Sequence, residues 1–207
     1  YYEKTKKPEV LARVRLAFWY VLRHLVTYVQ ADGQEAAYLM DNGKAKLGGQ
    51  GILLHVLCEY QRISGDKVFS SFTQKLAKHI IGEVLPGGEF RYYSIYLGKE
   101  VKPEENSKYF GFYYPGEAVV GLASFLRFGD VTPELRARIV PKLSEALDFL
   151  VHKRLEVYKE MFPPLPEDSW LLMGIQKLWP MKEFQREYLK EFLYKTADTI
   201  VGQMYTE

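Results

Sequence analysis

The stretch Glu117-Ala118-Val119-Val120-Gly121-Leu122-Ala123 decides the fold. After its first residue it carries no charge, and small residues stand at Ala118, Gly121 and Ala123. It breaks at Phe128-Gly129-Asp130, and a more charged segment, Pro133–Val151, follows. The same order occurs twice more. Ile52-Leu53-Leu54-His55-Val56-Leu57 breaks at Ser64-Gly65-Asp66 before Phe72–Ile81, and Leu171-Leu172-Met173-Gly174-Ile175 breaks at Trp179-Pro180 before Lys182–Met204. The segments Gly51–Ile81, Glu117–Val151 and Ser169–Met204 therefore read as three helical hairpins of one design. Such a unit cannot bury its apolar stripe alone and must stack on its neighbours. A first helix that is apolar all round is expected to be covered on both sides, while the second has an ordinary amphipathic face. The predicted class is all-α: consecutive helical hairpins, arranged as an open solenoid or, better, as a ring of inner and outer helices.

Outward from the hairpins, Pro8 suits a helix start and Val10–Gln30 runs without a breaker to Ala31-Asp32-Gly33. The Asp41-Asn42-Gly43 turn suggests a small β-hairpin over Ala37–Leu47. Between Gly82 and Tyr114 the helical period lapses: Leu85–Phe90 reads as a turn, Arg91–Tyr96 as a short strand, and Lys99–Lys108 as a polar loop. Met161–Glu167, with Pro163, Pro164 and Pro166, reads as a stiff connector. No boundary divides residues 1–207, so one domain is expected.

Composition excludes several classes. The 207 residues are 47% apolar and 26% charged, as in a globular protein with a substantial core. A net charge of +2 with interspersed signs gives no footprint for nucleic acid. Arg13, Arg15, Arg23 and His24 interrupt Val10–Val29 too often for a membrane-spanning helix. The lone Cys58 permits no internal disulfide and reads as core. His24, His79 and His152 have no ligand spacing with one another or with Cys58, so no metal is expected. Neither a P-loop nor a dinucleotide fingerprint is present, so no cofactor is expected, and the compartment is not indicated. Aromatic residues are 15% of the chain, with 16 Tyr and 12 Phe. They serve either as packing between helices or as a sugar-stacking surface.

Lys44-Ala45-Lys46-Leu47-Gly48-Gly49, Tyr113-Tyr114-Pro115-Gly116-Glu117-Ala118 and Asp168-Ser169-Trp170-Leu171 stand in that order at hairpin entrances. With Gly65-Asp66 at the first hairpin turn, they resemble the six-hairpin glycosidase-like superfamily of (α/α) toroids over roughly Lys44–Met204. The resemblance implies inner helices around a cleft, with a glycan bound at one mouth of the ring by a hydrolase, lyase or epimerase. Six hairpins complete such a ring and three are clear here. The chain is thus expected to be a portion of a longer protein, or an incomplete ring closed by self-association.

Glu117 is the first candidate, an acid in the opening turn of an inner helix after two phenols. There it either stabilises the helix dipole, for about 0.3–1 kcal/mol, or serves as an ionised base or nucleophile. Asp168 stands at the equivalent entrance, as partner acid or as N-cap. Two acids about 6.5–9.5 Å apart would suit inverting glycoside chemistry, a spacing that helices ~8–10 Å apart can meet. Tyr113, Tyr114 and Trp170 are candidates for a sugar platform, or for packing at the hairpin ends. Lys46 and Gln50 are placed to bond hydroxyls or a uronate, and Tyr92, Tyr93 and Tyr96 to close over the mouth. His55 faces either the core or the ring axis. The alternative function is a non-catalytic helical-repeat module binding a peptide or partner protein. Terpenoid cyclisation lacks an acid-rich motif.

Overall fold

A computed structural model describes residues 2–161 and 166–204. The described chain is mostly helical, with a two-stranded and a three-stranded antiparallel sheet. Three helical hairpins form its body. They are α3 (Leu47–Ser64) with α4 (Ser70–Gly82), α5 (Tyr114–Phe128) with α6 (Pro133–Asp148), and α8 (Ser169–Leu178) with α9 (Glu187–Met204). Before them come α1 (Tyr2–Thr5) and α2 (Pro8–Leu22); α6 continues through a π-helical turn, Phe149–Lys153, into α7 (Arg154–Tyr158).

The ends of these helices follow local chemistry. Gly65 takes the left-handed conformation that closes α3, at φ +72°. Thr132 accepts the Leu135 amide at 3.2 Å and Pro133 opens α6. Asp168 caps α8 by accepting the Leu171 amide at 3.0 Å.

The first helices of the three hairpins lie side by side and parallel. Gly48 faces Glu117, Gly51 faces Gly121, His55 meets Ser124 and Gln61 meets Phe128, in ascending order along both α3 and α5. Likewise Gly116 faces Leu171, and Val119 and Val120 face Gly174. Glycine permits this closeness. A methyl built on Gly121 would stand 2.9 Å from Gly51 Cα, and one on Gly174 would stand 2.7 Å from Val119 Cγ1. The middle helix α5 is covered on all sides from Ala118 to Leu126. The core lies between this layer and the second helices, where Leu54, Leu57, Leu76, Ile80, Leu122, Phe125, Ile139, Leu143, Ile175 and Leu189 are buried together.

Three expectations need correction. The helix expected over Val10–Gln30 ends at Leu22, and β1 (Leu25–Val29) pairs antiparallel with β2 (Glu35–Leu39). β-Branched and aromatic residues, Val26, Thr27, Tyr28 and Val29, favour the strand. The Asp41-Asn42-Gly43 turn forms, with positive φ at Asn42 and Gly43, but it is flanked only by the isolated Asp41–Lys44 bridge. Its two arms instead serve different sheets, since β3 (Ala45–Lys46) pairs with β4 (Tyr93–Tyr96), which pairs with β5 (Lys99–Glu100). The loop Lys99–Lys108 also contains a 3-10 helix, Pro103–Tyr109. Pro163 and Pro164 of the expected connector lie outside the described residues; Pro166 and Glu167 are not helical.

Candidate functional site

The hairpin entrances do converge on one rim. A methyl on Gly48 would collide with the Glu117 carboxylate and sit 2.8 Å from the Tyr114 ring, so acid and phenol both lie across the start of α3. A methyl on Gly116 would stand 2.6 Å from Asp168 Oδ1 and 3.0 Å from Trp170 Cβ, which places the third entrance beside the second. Lys46 is half-buried and opposite Tyr93 in the sheet register.

The insertion supplies a tyrosine cluster to this rim. The Tyr93 and Tyr114 hydroxyls are 3.4 Å apart, and Tyr93 packs edge-on against Tyr114 at 5.9 Å and Tyr96 at 5.4 Å. Tyr109 lies 4.8 Å from Tyr96. A buried fork holds the insertion in place: Arg91 donates through Nε to one oxygen of Glu83 at 2.6 Å and through Nη2 to the other at 2.9 Å. Asn106 completes the anchor by bonding the backbone of Tyr92 and Phe90. Tyr92 itself is wholly buried against Phe110 and Tyr158, so it does not cover the mouth.

The two candidate acids differ sharply. Asp168 is only 2% exposed and both its oxygens are engaged. Oδ1 caps α8, and Oδ2 takes a 2.7 Å ion pair from Arg154, itself buried beside the Phe112 ring. Burial raises the Asp168 pKa, with Arg154 opposing. Both oxygens are thus committed to structure, one to the cap and one to the guanidinium, on a side chain almost wholly shielded from solvent. Glu117 has the opposite character. It is half-buried, and its carboxylate makes no hydrogen bond or ion pair among the described residues. Burial raises its pKa, and the neighbouring Asp168 charge adds to the effect. Both effects disfavour the ionised form, opposing the preference for charge that a helix start alone would give.

The remaining candidates separate. Tyr113 is 40% exposed, edge-on to Phe112. Trp170 is half-buried at the rim. Gln50 is buried, accepting the Leu39 amide through Oε1 at 2.6 Å and donating Nε2 to the Leu39 carbonyl at 2.9 Å. That pair of hydrogen bonds pins β2 to α3 and turns the buried Gln50 amide to the Leu39 backbone. His55 lies about two turns below the rim, its Nδ1 2.7 Å from the buried Ser124 hydroxyl. Tyr109 was missed because its ring joins Tyr96 through the 3-10 helix, a contact with no periodic signal. Among the described residues, no group of three or more His, Cys, Asp or Glu could hold a metal, and no helix is long and apolar enough to cross a membrane.

No protein-family model, curated protein or solved structure matches this chain.

Proposed function

We propose that the chain is a glycan-binding domain built on part of an (α/α) toroid, with the rim of its first helices as the binding site. The observation carrying this reading is Glu117: a half-buried carboxyl with no partner among the described residues, set against Tyr114 beside the Tyr93–Tyr96–Tyr109 cluster. An uncommitted acid bonds sugar hydroxyls, and phenol rings offer apolar faces with a polar tip. Asp168, buried and paired with Arg154, is poorly placed to serve as the second acid of glycoside hydrolysis. Recognition, or chemistry resting on the single uncommitted acid Glu117, is thus favoured over two-carboxylate hydrolysis. Binding of neutral and uronate oligosaccharides, measured by calorimetry for wild type, Glu117→Ala and Tyr93→Phe, tests it. Saturable binding lost in Glu117→Ala is expected; binding that Glu117→Ala leaves intact refutes it.

One observation favours a partner-binding module instead. Between α8 and α9 runs an apolar cavity of about 540 Å3, lined by Leu172, Met173, Trp179, Leu193 and Tyr194 among others. It lies on the flank where a further hairpin would stack. Substituting the cavity distinguishes the readings: Leu193→Asp should abolish self-association by a stacking module, followed by sedimentation, and leave glycan binding at the rim unchanged.

A further inference from the structure

Below the rim, α3, α5 and α8 enclose a second cleft. It measures about 420 Å3 and is lined by His55, Glu59, Arg127, Met173, Gln176 and Lys177. That volume is within the range of small-molecule sites, roughly 300–1,000 Å3.

Its charges do not balance. Three cations surround the Phe128 ring: Arg127 at 4.8 Å, Arg62 at 5.6 Å and Lys177 at 5.7 Å. Glu59 is fully used, with Oε1 2.7 Å from Lys177 Nζ and Oε2 2.7 Å from Arg62 Nε. Arg62 also reaches Glu3 at 3.1 Å. Arg127 is left exposed, with an aromatic ring beneath it and no carboxylate partner among the described residues. Three positive groups against two carboxylates leave one charge uncompensated at the cleft.

Neutral polar groups stand with it. The Gln176 amide makes no hydrogen bond among the described residues. His55 spends Nδ1 on Ser124, which leaves Nε2 without a partner among the described residues. Burial and the nearby Lys177 charge lower its pKa, so the ring is held neutral.

We infer that this cleft binds the oxyanion of a small organic molecule, a carboxylate or phosphate, with Arg127 as charge partner and Gln176 and His55 orienting it. A guanidinium fork matches either anion through two parallel hydrogen bonds. The inference is independent of the glycan reading, since it uses no rim residue.

Calorimetry with acetate, inorganic phosphate, glucuronate and glucose tests it, together with His55 ring resonances followed by NMR. At least one anion should bind with a Kd of about 1 mM or tighter while glucose does not. Arg127→Gln should weaken that binding at least about tenfold; Arg127→Lys should weaken it less, because it keeps the charge, but still measurably, because a point charge lacks the fork. Saturation should shift the His55 resonances in wild type and not in Arg127→Gln. Acetate and phosphate separate the two anion chemistries. Failure of every anion, glucose binding equally well, or unchanged affinity in Arg127→Gln would each overturn the assignment.

Discussion

A single methyl group at Gly51 probes the contact on which the rim depends. Built on the backbone, it would lie 2.5 Å from the carbonyl carbon of Glu117 and 2.6 Å from Ala118 Cα. Non-bonded carbons settle at about 3.5–4.0 Å, so α3 and α5 would have to part by roughly 1 Å. The obstructing atoms are backbone within a helix and cannot swing aside. Alanine carries a helix-propensity advantage of about 1 kcal/mol over glycine. Overpacking a core costs about 1–3 kcal/mol, and rigid neighbours on both sides place this site at the top of that range. Gly51→Ala should therefore destabilise by about 2 kcal/mol, or about 4–8 °C in Tm for a domain of this size. Gly49→Ala is the matched control, because its methyl meets nothing within 4 Å. It should be neutral or stabilising by up to about 1 kcal/mol. Thermal and urea unfolding of both variants beside wild type give the comparison. Equal stability of the two variants would refute the close approach of α3 and α5, and with it the meeting of Gly48, Tyr114 and Glu117.

Burial and Asp168 hold the Glu117 pKa above its unfolded value, so its ionisation opposes folding. Its contribution is complete below the unfolded pKa and lost as pH rises through the folded one. Glu117→Gln should thus match wild type near about pH 4 and become the more stable protein toward pH ~7; a Tm difference that shrinks with rising pH contradicts this. Asp168→Ala removes a helix cap and leaves Arg154 buried without its counter-ion. A loss of about 4 kcal/mol or more is expected in urea unfolding, and a loss below ~1 kcal/mol would show the pair to be unimportant. Asp168→Asn keeps the cap acceptor and should lose less. Burial pushes the Cys58 thiol up to about 12, so the native protein should resist iodoacetamide at about pH 8 and react once unfolded. Native-state alkylation at the unfolded rate would contradict the buried placement.

The three hairpins were legible because each pairs an apolar, small-residue helix with a charged one across a Gly, Asp or Pro break. The helix entrances were legible for the same reason, which is why Tyr114, Glu117 and Asp168 could be named from sequence. Their roles were not. Asp168 is held by Arg154, fourteen residues earlier in the chain, and no spacing rule reports that pairing. Gln50 is claimed by Leu39 and His55 by Ser124, contacts set by tertiary register. β1 was read as helix because Val10–Gln30 holds no Gly or Pro breaker, and its short apolar end Leu25–Val29 does not by period alone separate strand from helix. The charge cluster around Phe128 joins α3, α5 and α8 and is invisible along any one of them.

The covered middle helix has a consequence for how the molecule tolerates change. Nearly every side chain of α5 from Ala118 to Leu126 is enclosed by neighbours on both flanks. No position along it offers a silent site for drift, whereas α2 and α9 each present residues open to water. The same enclosure ties the flanking hairpins into one cooperative unit, since neither can detach without baring the helix they share. Amide protons of α5 should accordingly be the last to exchange, opening only when the whole body opens.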